Sequence, residues 1–348
     1  MSLLHQGSLF GESPHYLAQD ERVHASSLRE LLGQINRDSC TVDTLGLRQY
    51  FERRPDGIRT CFQRAERLPA GFDLYEDGGC LRTHRRDLLP PPAGPLLPLL
   101  EERTVALLAG AKNVAVALSG GLDSALVLSL VRRLTGRAVP ILTIATGLPG
   151  YCELEETLTT ARTLDCGAVD VIQVESAQII DALPDAIAVC ETPLFNLHPV
   201  SKLLLAQAAA QRGFDAIITG DGADQVFAGS DARNYIPIAG AMVRASGVKL
   251  LSPFFDERIA AWAGHHGTDP GKTALRHAAA AVLPSEITQR KKHPRLAPDF
   301  LLENFRDETL EAQLAPQLDL RLPAAGPGPE QTLWATTAIL IRHLGGIC

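Results

Sequence analysis

The chain has 348 residues, 45% of them hydrophobic, which is enough for a sizeable core and suggests about two domains. A net charge of −7 gives no global case for nucleic-acid binding, and no apolar run approaches the ~18 residues of a membrane span. Seven dispersed cysteines without a CxxC pair, behind an N-terminus lacking a basic-then-apolar leader, argue for reduced thiols in the cytoplasm and against a zinc site.

A proline-rich stretch over 89–98 can neither continue a helix nor sit inside a sheet, and is expected to link two domains. Beyond it the pattern alternates. Helix is expected over 99–108, strand over 114–118, helix over 125–134, strand over 138–145 and helix over 153–164. Strand follows over 169–174, helix over 177–189, helix over 200–211 and a short buried strand over 216–219. From Asp256 onward the pattern is helical, with an apolar helix over 334–344 closing the core and a loop over 326–329. Strands alternating with helices predict an α/β fold: a parallel sheet covered on both faces, with ligands beyond the carboxyl ends of its strands.

Two strand-to-helix turns carry the chemistry. In the first, Leu118-Ser119-Gly120-Gly121-Leu122-Asp123-Ser124 follows an apolar run and opens a helix. Glycine lets backbone approach a phosphate closely, and N–H groups at the turn and the helix start form an anion site. Ser119 and Ser124 add hydroxyl donors, and Asp123 adds a carboxylate able to hold Mg²⁺ over phosphates. The bland alternative is a βα turn with a capping serine. In the second, Thr219-Gly220-Asp221-Gly222-Ala223-Asp224-Gln225 repeats the logic. Asp123 and Asp224, from two strand ends, could share Mg²⁺ on ATP; the bland alternative is a glycine turn with capping acids.

The first turn resembles the SGGxDS pyrophosphate loop of N-type ATP pyrophosphatases, and it is not a P-loop, since no Gly-Lys-Ser/Thr follows. The second resembles the SGxGxDExF segment of the asparagine synthetase family, with Thr219 for the usual serine and Gln225 for the usual Glu. Asp221 stands where members carry Glu or Asp, or Tyr in the β-lactam-forming branch. Further similarities follow in order. They are Gly147-Leu148-Pro149-Gly150, then Ser252-Pro253-Phe254-Phe255-Asp256, then Lys272, Leu275, Arg276, Leu283, Pro284, Ile287, Arg290 and Lys292 of a K-x-x-LR…LP-x-x-I-x-x-R-x-K pattern.

The resemblance implies an ATP-dependent, AMP- and pyrophosphate-forming amide synthetase over 99–348. Leu118, Ser119, Gly120, Gly121, Ser124, Thr219 and Gly220 would cradle ATP, with Thr146 and Gly147 beside adenine or ribose. Asp123 and Asp224 would hold Mg²⁺, Lys292 would take the catalytic lysine's place, and Asp221 would orient or deprotonate the amine. Arg290 and Lys291 read as a solvated basic face. Segments within 22–87 resemble the closing part of a glutaminase domain, with Ser2 in place of the nucleophilic cysteine. Residues 1–88 are therefore expected to be a remnant that does not hydrolyse glutamine.

The expected partners are a small-molecule carboxylate and an amine or ammonia, not nucleic acid or membrane. A partner protein supplying nitrogen or acyl substrate, and a homodimer, are compatible with the sequence. The alternatives are intramolecular lactam formation and a non-catalytic nucleotide-binding scaffold. tRNA-thiolating or NAD-forming relatives would leave the later segments unexplained. The acyl pocket is expected near 191–198 and around Asp256, where Glu191 and His198 read either as substrate contacts or as cap and turn groups, the latter being commoner.

Overall fold

The computed structural model describes residues 1–35, 41–87, 89–230, 235–291, 299–321 and 326–345. The first part of the chain forms β1 (Ser2–His5), β2 (Tyr16–Ala18), β3 (Val23–Ala25), α1 (Leu28–Gln34), α2 (Thr44–Phe51), β4 (Glu66–Arg67), β5 (Phe72–Asp77) and β6 (Cys80–Arg85). These strands make two antiparallel sheets of three, ordered β1-β5-β6 and β3-β2-β4. Leu17, Leu68, Leu74 and Leu81 pack together there as a small core of their own.

α3 (Leu96–Ala109) follows. It begins earlier than the proline pattern predicts, with Pro95 as its N-cap and Pro98 in its first turn. First-turn N–H groups lack intrahelical partners in any helix, so a proline there removes no bond.

The second part holds β7 (Val114–Ala117), α4 (Leu122–Thr135), β8 (Ile141–Ala145), α5 (Leu154–Thr163), β9 (Asp170–Gln173), α6 (Ser176–Asp181), α7 (Leu183–Cys190), α8 (His198–Gln211), β10 (Ala216–Ile218), α9 (Ala223–Ala228), α10 (Tyr235–Ala245) and β11 (Lys249–Leu251). The helices α11 (Glu257–His266), α12 (Thr273–Ala279), α13 (Ser285–Thr288), α14 (Glu308–Leu318) and α15 (Pro329–Gly345) complete it. The single helix expected over 177–189 is two, α6 and α7, parted at Ala182. Pro184, in the first turn of α7, has no N–H to give to a continuing helix. β11 was not read from the sequence, being three residues long with an exposed lysine at its start.

The strands β7 to β11 form one parallel sheet, ordered β11-β10-β7-β8-β9. Alternation along them feeds two cores. Ala115, Leu142 and Ile217 face a core that includes residues of α7, α8, α10 and α15. Val116, Ile141 and Ile218 face one that includes residues of α3, α4, α11 and α12. The sheet is thus covered on both faces, as predicted. Burying Val116 or Ile218 fully contributes roughly 1.5–3 kcal/mol each.

The first of these cores also takes in Tyr16, Leu28, Leu31, Leu32, Leu47 and Tyr50 from the N-terminal elements. Phe51 meets Trp334 of α15 at a ring distance of 4.7 Å. The N-terminal region therefore shares an interior with the helices on one face of the parallel sheet.

Candidate active site

β7 and β10 are neighbours, yet the sheet grows from β7 through β8 and β9 on one side and from β10 through β11 on the other. Strand order therefore reverses between them, and this is where open α/β sheets place ligands. The two sequence-predicted turns leave the carboxyl ends of these two strands.

The first turn is fixed by glycine and serine. Gly120 adopts φ +76°, and a Cβ there would lie 2.6 Å from the backbone carbon of Glu156. Only glycine meets both demands. The Ser119 N–H donates to Ser124 Oγ at 3.2 Å, and the two hydroxyls lie 3.1 Å apart. The Gly120 carbonyl accepts from Thr160 Oγ1 at 3.0 Å and from Arg290 Nη1 at 2.7 Å. Arg290 also donates to Thr160 Oγ1 at 2.8 Å. Expected to belong to a solvated face, Arg290 instead braces the turn; its guanidinium reaches across 170 residues, a contact no local pattern encodes.

The second turn is packed against the first. A Cβ on Gly220 would meet Asp123 Cβ at 2.7 Å and Ser124 N at 2.8 Å. Gly222, at φ +94°, leaves room for the Phe255 ring. Asp221 is held at its backbone, where its carbonyl accepts from Ser252 Oγ at 2.6 Å and its N–H donates to Thr219 Oγ1 at 3.2 Å. Its carboxylate pairs with Lys202 of α8 at 2.7 Å.

Asp123 and Asp224 do come together. Each lies in the first turn of the helix after its strand, where the N-terminal dipole favours negative charge. Both contact one ammonium, that of Lys272. Its Nζ lies 2.6 Å from both Asp123 oxygens and 2.9 Å from Asp224 Oδ1. Lys272 is buried, with φ +52°, an uncommon conformation for a residue with a side chain. The loop holds it there: its N–H donates to the Asp269 carbonyl at 2.9 Å. The sequence supplied Lys272 only as part of a pattern, without a role.

Two carboxylates converging on one cation are a suitable donor set for Mg²⁺, which takes its remaining oxygens from phosphates and water. Among the described residues no group of three or more His, Cys, Asp or Glu is arranged to hold a metal by itself. The ammonium of Lys272 stands where such a cation would be drawn.

The remaining expected residues divide. Thr146, Thr219 and Leu118 are buried at the strand ends and Gly147 is exposed beside them. Lys292 lies outside the described residues. Of the two readings of Glu191, the structure shows the capping one. Its carboxylate accepts from the N–H groups of Leu28 and Arg29, at 2.6 and 2.7 Å, and so caps α1. Burial pushes its pKa up, and those two backbone bonds oppose the rise. Asp256 caps α11 through the N–H of Arg258 at 2.9 Å. His198 Nδ1 lies 3.0 Å from Tyr151 Oη, which is 2.9 Å from Ser201 Oγ.

Residues 96–244 match the asparagine synthase family model. The resemblance read from the motifs is therefore borne out over that segment, which carries both turns, the helices they open and Lys202. Over 132 residues the chain is 31% identical to a protein named amidase chry2 of Gibberella zeae. Over the same length it is 29% identical to amidase chyE of Penicillium rubens. Each match takes in 34% of this chain and 20% of the relative, so the chain spans about a fifth of the length of these curated proteins. Among solved structures, an NH3-dependent NAD synthetase from Campylobacter jejuni is 17% identical. That match covers 67% of this chain and 100% of that one, with a TM-score of 0.37. An NMN synthetase from Francisella tularensis is 12% identical, with 72% and 92% covered and a TM-score of 0.35. No helix among the described residues is long and apolar enough to cross a membrane.

Proposed function

We propose that the chain is an ATP-dependent, AMP-forming amide synthetase. A substrate carboxylate oxygen attacks the α phosphorus of ATP, pyrophosphate departs, and an acyl adenylate forms. A nitrogen nucleophile then attacks the acyl carbon, AMP leaves, and the nitrogen sheds a proton. The observation that carries this reading is the convergence of Asp123 and Asp224 on one cation between two mutually packed turns at the switch point.

Ser119, Gly120, Gly121 and Ser124 bind the departing pyrophosphate through N–H and hydroxyl donors. Leu118, Thr146, Gly147, Thr219 and Gly220 bound the nucleotide. Asp123 and Asp224 hold Mg²⁺, which when bound neutralises charge on the phosphates. Lys272 keeps the two carboxylates in register, and on nucleotide binding its ammonium is available to phosphate oxygens. Lys292 takes the role of stabilising charge on pyrophosphate and the acyl oxygen. Asp221 takes the proton of the amine.

The nitrogen nucleophile in this reading is ammonia or a substrate amine. The free thiols of Cys61, Cys80, Cys152, Cys166 and Cys190 suit a cytoplasmic enzyme.

The test is exchange of labelled pyrophosphate into ATP with Mg²⁺, scanned over amino acids and small carboxylic acids. Exchange dependent on one acid, and abolished by Asp123→Asn, is the expected outcome. Exchange unchanged in Asp123→Asn would refute the metal role. Lys292→Ala should lower turnover by at least ~10² if it supplies several kcal/mol of charge stabilisation.

A further inference from the structure

We infer that Lys202 is a positioning residue for the nitrogen-accepting step: with Thr219 it occupies one oxygen of Asp221, so that the other receives the proton of the incoming amine. This rests on the proposed function and deepens it. Two donors converge on a single atom, Asp221 Oδ2: Lys202 Nζ at 2.7 Å and Thr219 Oγ1 at 2.8 Å. Neither engages Oδ1. The Thr219 hydroxyl also accepts the Asp221 N–H, which fixes its own proton toward the carboxylate. With the Asp221 carbonyl held by Ser252, both ends of the residue are tied and the carboxylate has one free edge.

The pair is built into the fold. Lys202 and Asp221 side chains are only 13% and 14% exposed, so their attraction is little screened by water. Lys202 stands in the second turn of α8, next to Ser201 of the Tyr151–His198–Ser201 network. An amine that attacks uncharged becomes a stable amide only by losing a proton as the C–N bond forms and the C–O bond to AMP breaks. The bond pair leaves with the AMP phosphate, and the proton goes to Asp221 Oδ1.

The experiment compares the unmutated chain with Lys202→Met, Lys202→Arg and Thr219→Val. Each is assayed for acid-dependent pyrophosphate exchange, and for acyl transfer to ammonium chloride, methylamine and hydroxylamine near pH 7. Hydroxylamine is already neutral there and a stronger nucleophile, so it leans least on a base. The expected result is at least a tenfold fall, relative to exchange, in transfer to ammonia and methylamine for Lys202→Met. Hydroxamate formation follows exchange, Lys202→Arg recovers most of the loss, and Thr219→Val moves the ratio the same way. Parallel loss of exchange and of all three transfers, or unaltered transfer to amines, would overturn the assignment. Absence of exchange in the unmutated chain would instead remove the adenylation reading, and this one with it.

Discussion

Replacing Lys272 by Met removes one ammonium while keeping an unbranched side chain of similar bulk. Three charge-assisted contacts disappear, two to Asp123 and one to Asp224. Breaking a fully buried ion pair by deleting one partner costs about 3–5 kcal/mol. Here the two aspartate side chains are 21% and 32% exposed and regain part of their hydration, so the loss should be nearer ~2 kcal/mol. In a chain this long that corresponds to a fall of roughly 3–6 °C in the unfolding midpoint. The assay is thermal unfolding of both proteins in EDTA and across a MgCl2 titration. Lys272→Met should melt lower in EDTA and gain more from Mg²⁺, because the metal no longer competes with the ammonium for the carboxylates. Equal midpoints in EDTA, or an equal Mg²⁺ response in both proteins, would refute the reasoning.

Gly120→Ala should abolish pyrophosphate exchange and cost at least ~2 kcal/mol of stability, since it combines a positive φ with a backbone clash; near-normal exchange would mean that the turn can shift. Glu191→Ala should speed amide hydrogen exchange at Leu28 and Arg29 and cost about 1–2 kcal/mol, as loss of a helix cap does; unaltered protection there would contradict the capping role. His15 is buried, stacked on His5 and 3.0 Å from His24 Nδ1; burial, then the neighbouring His5 and His24, push its pKa down to about 4. The unfolded chain therefore binds a proton near pH 6.5 that the native chain refuses until about pH 4. Stability should be full above about 6.5 and fall through that window. His15→Phe should flatten this slope of thermal midpoint against pH, and an unchanged slope would assign it to other groups.

Of the parallel strands all but the short edge strand β11 were legible, the inner ones because burial on both faces leaves mostly Val, Ile, Leu and Ala, while the turns were legible because close backbone approach admits only glycine. Where a rule depends on one residue, as at Pro184, a single proline divided what periodicity would have joined. The carboxylates of the site could be named because each follows its turn within a few residues. Their cation could not. Lys272 lies 149 residues from Asp123, in a conformation that nothing in its neighbours' identities announces. Lys202 sits in a helix whose apolar residues run around most of its circumference, so no stripe marks its side as inward. Arg290 was misjudged for the same reason: a basic cluster looks solvent-facing until the fold brings the Gly120 carbonyl to it. Long-range pairing of a charge with one specific atom is the part of the site that a linear reading does not contain.

Glu191 reaches 163 residues back along the chain to cap the start of α1, and around it the N-terminal helices bury their leucines against α7 and α15. A protein cut within 89–95 would consequently give two pieces with matching wounds: one with bare amides and a leucine face, the other with a stranded carboxylate and an uncovered Trp334. Made separately, such pieces should find each other, with the Glu191 carboxylate setting their alignment. That would turn the junction into a ready-made split protein whose reassembly could be read out by the proposed amide synthesis.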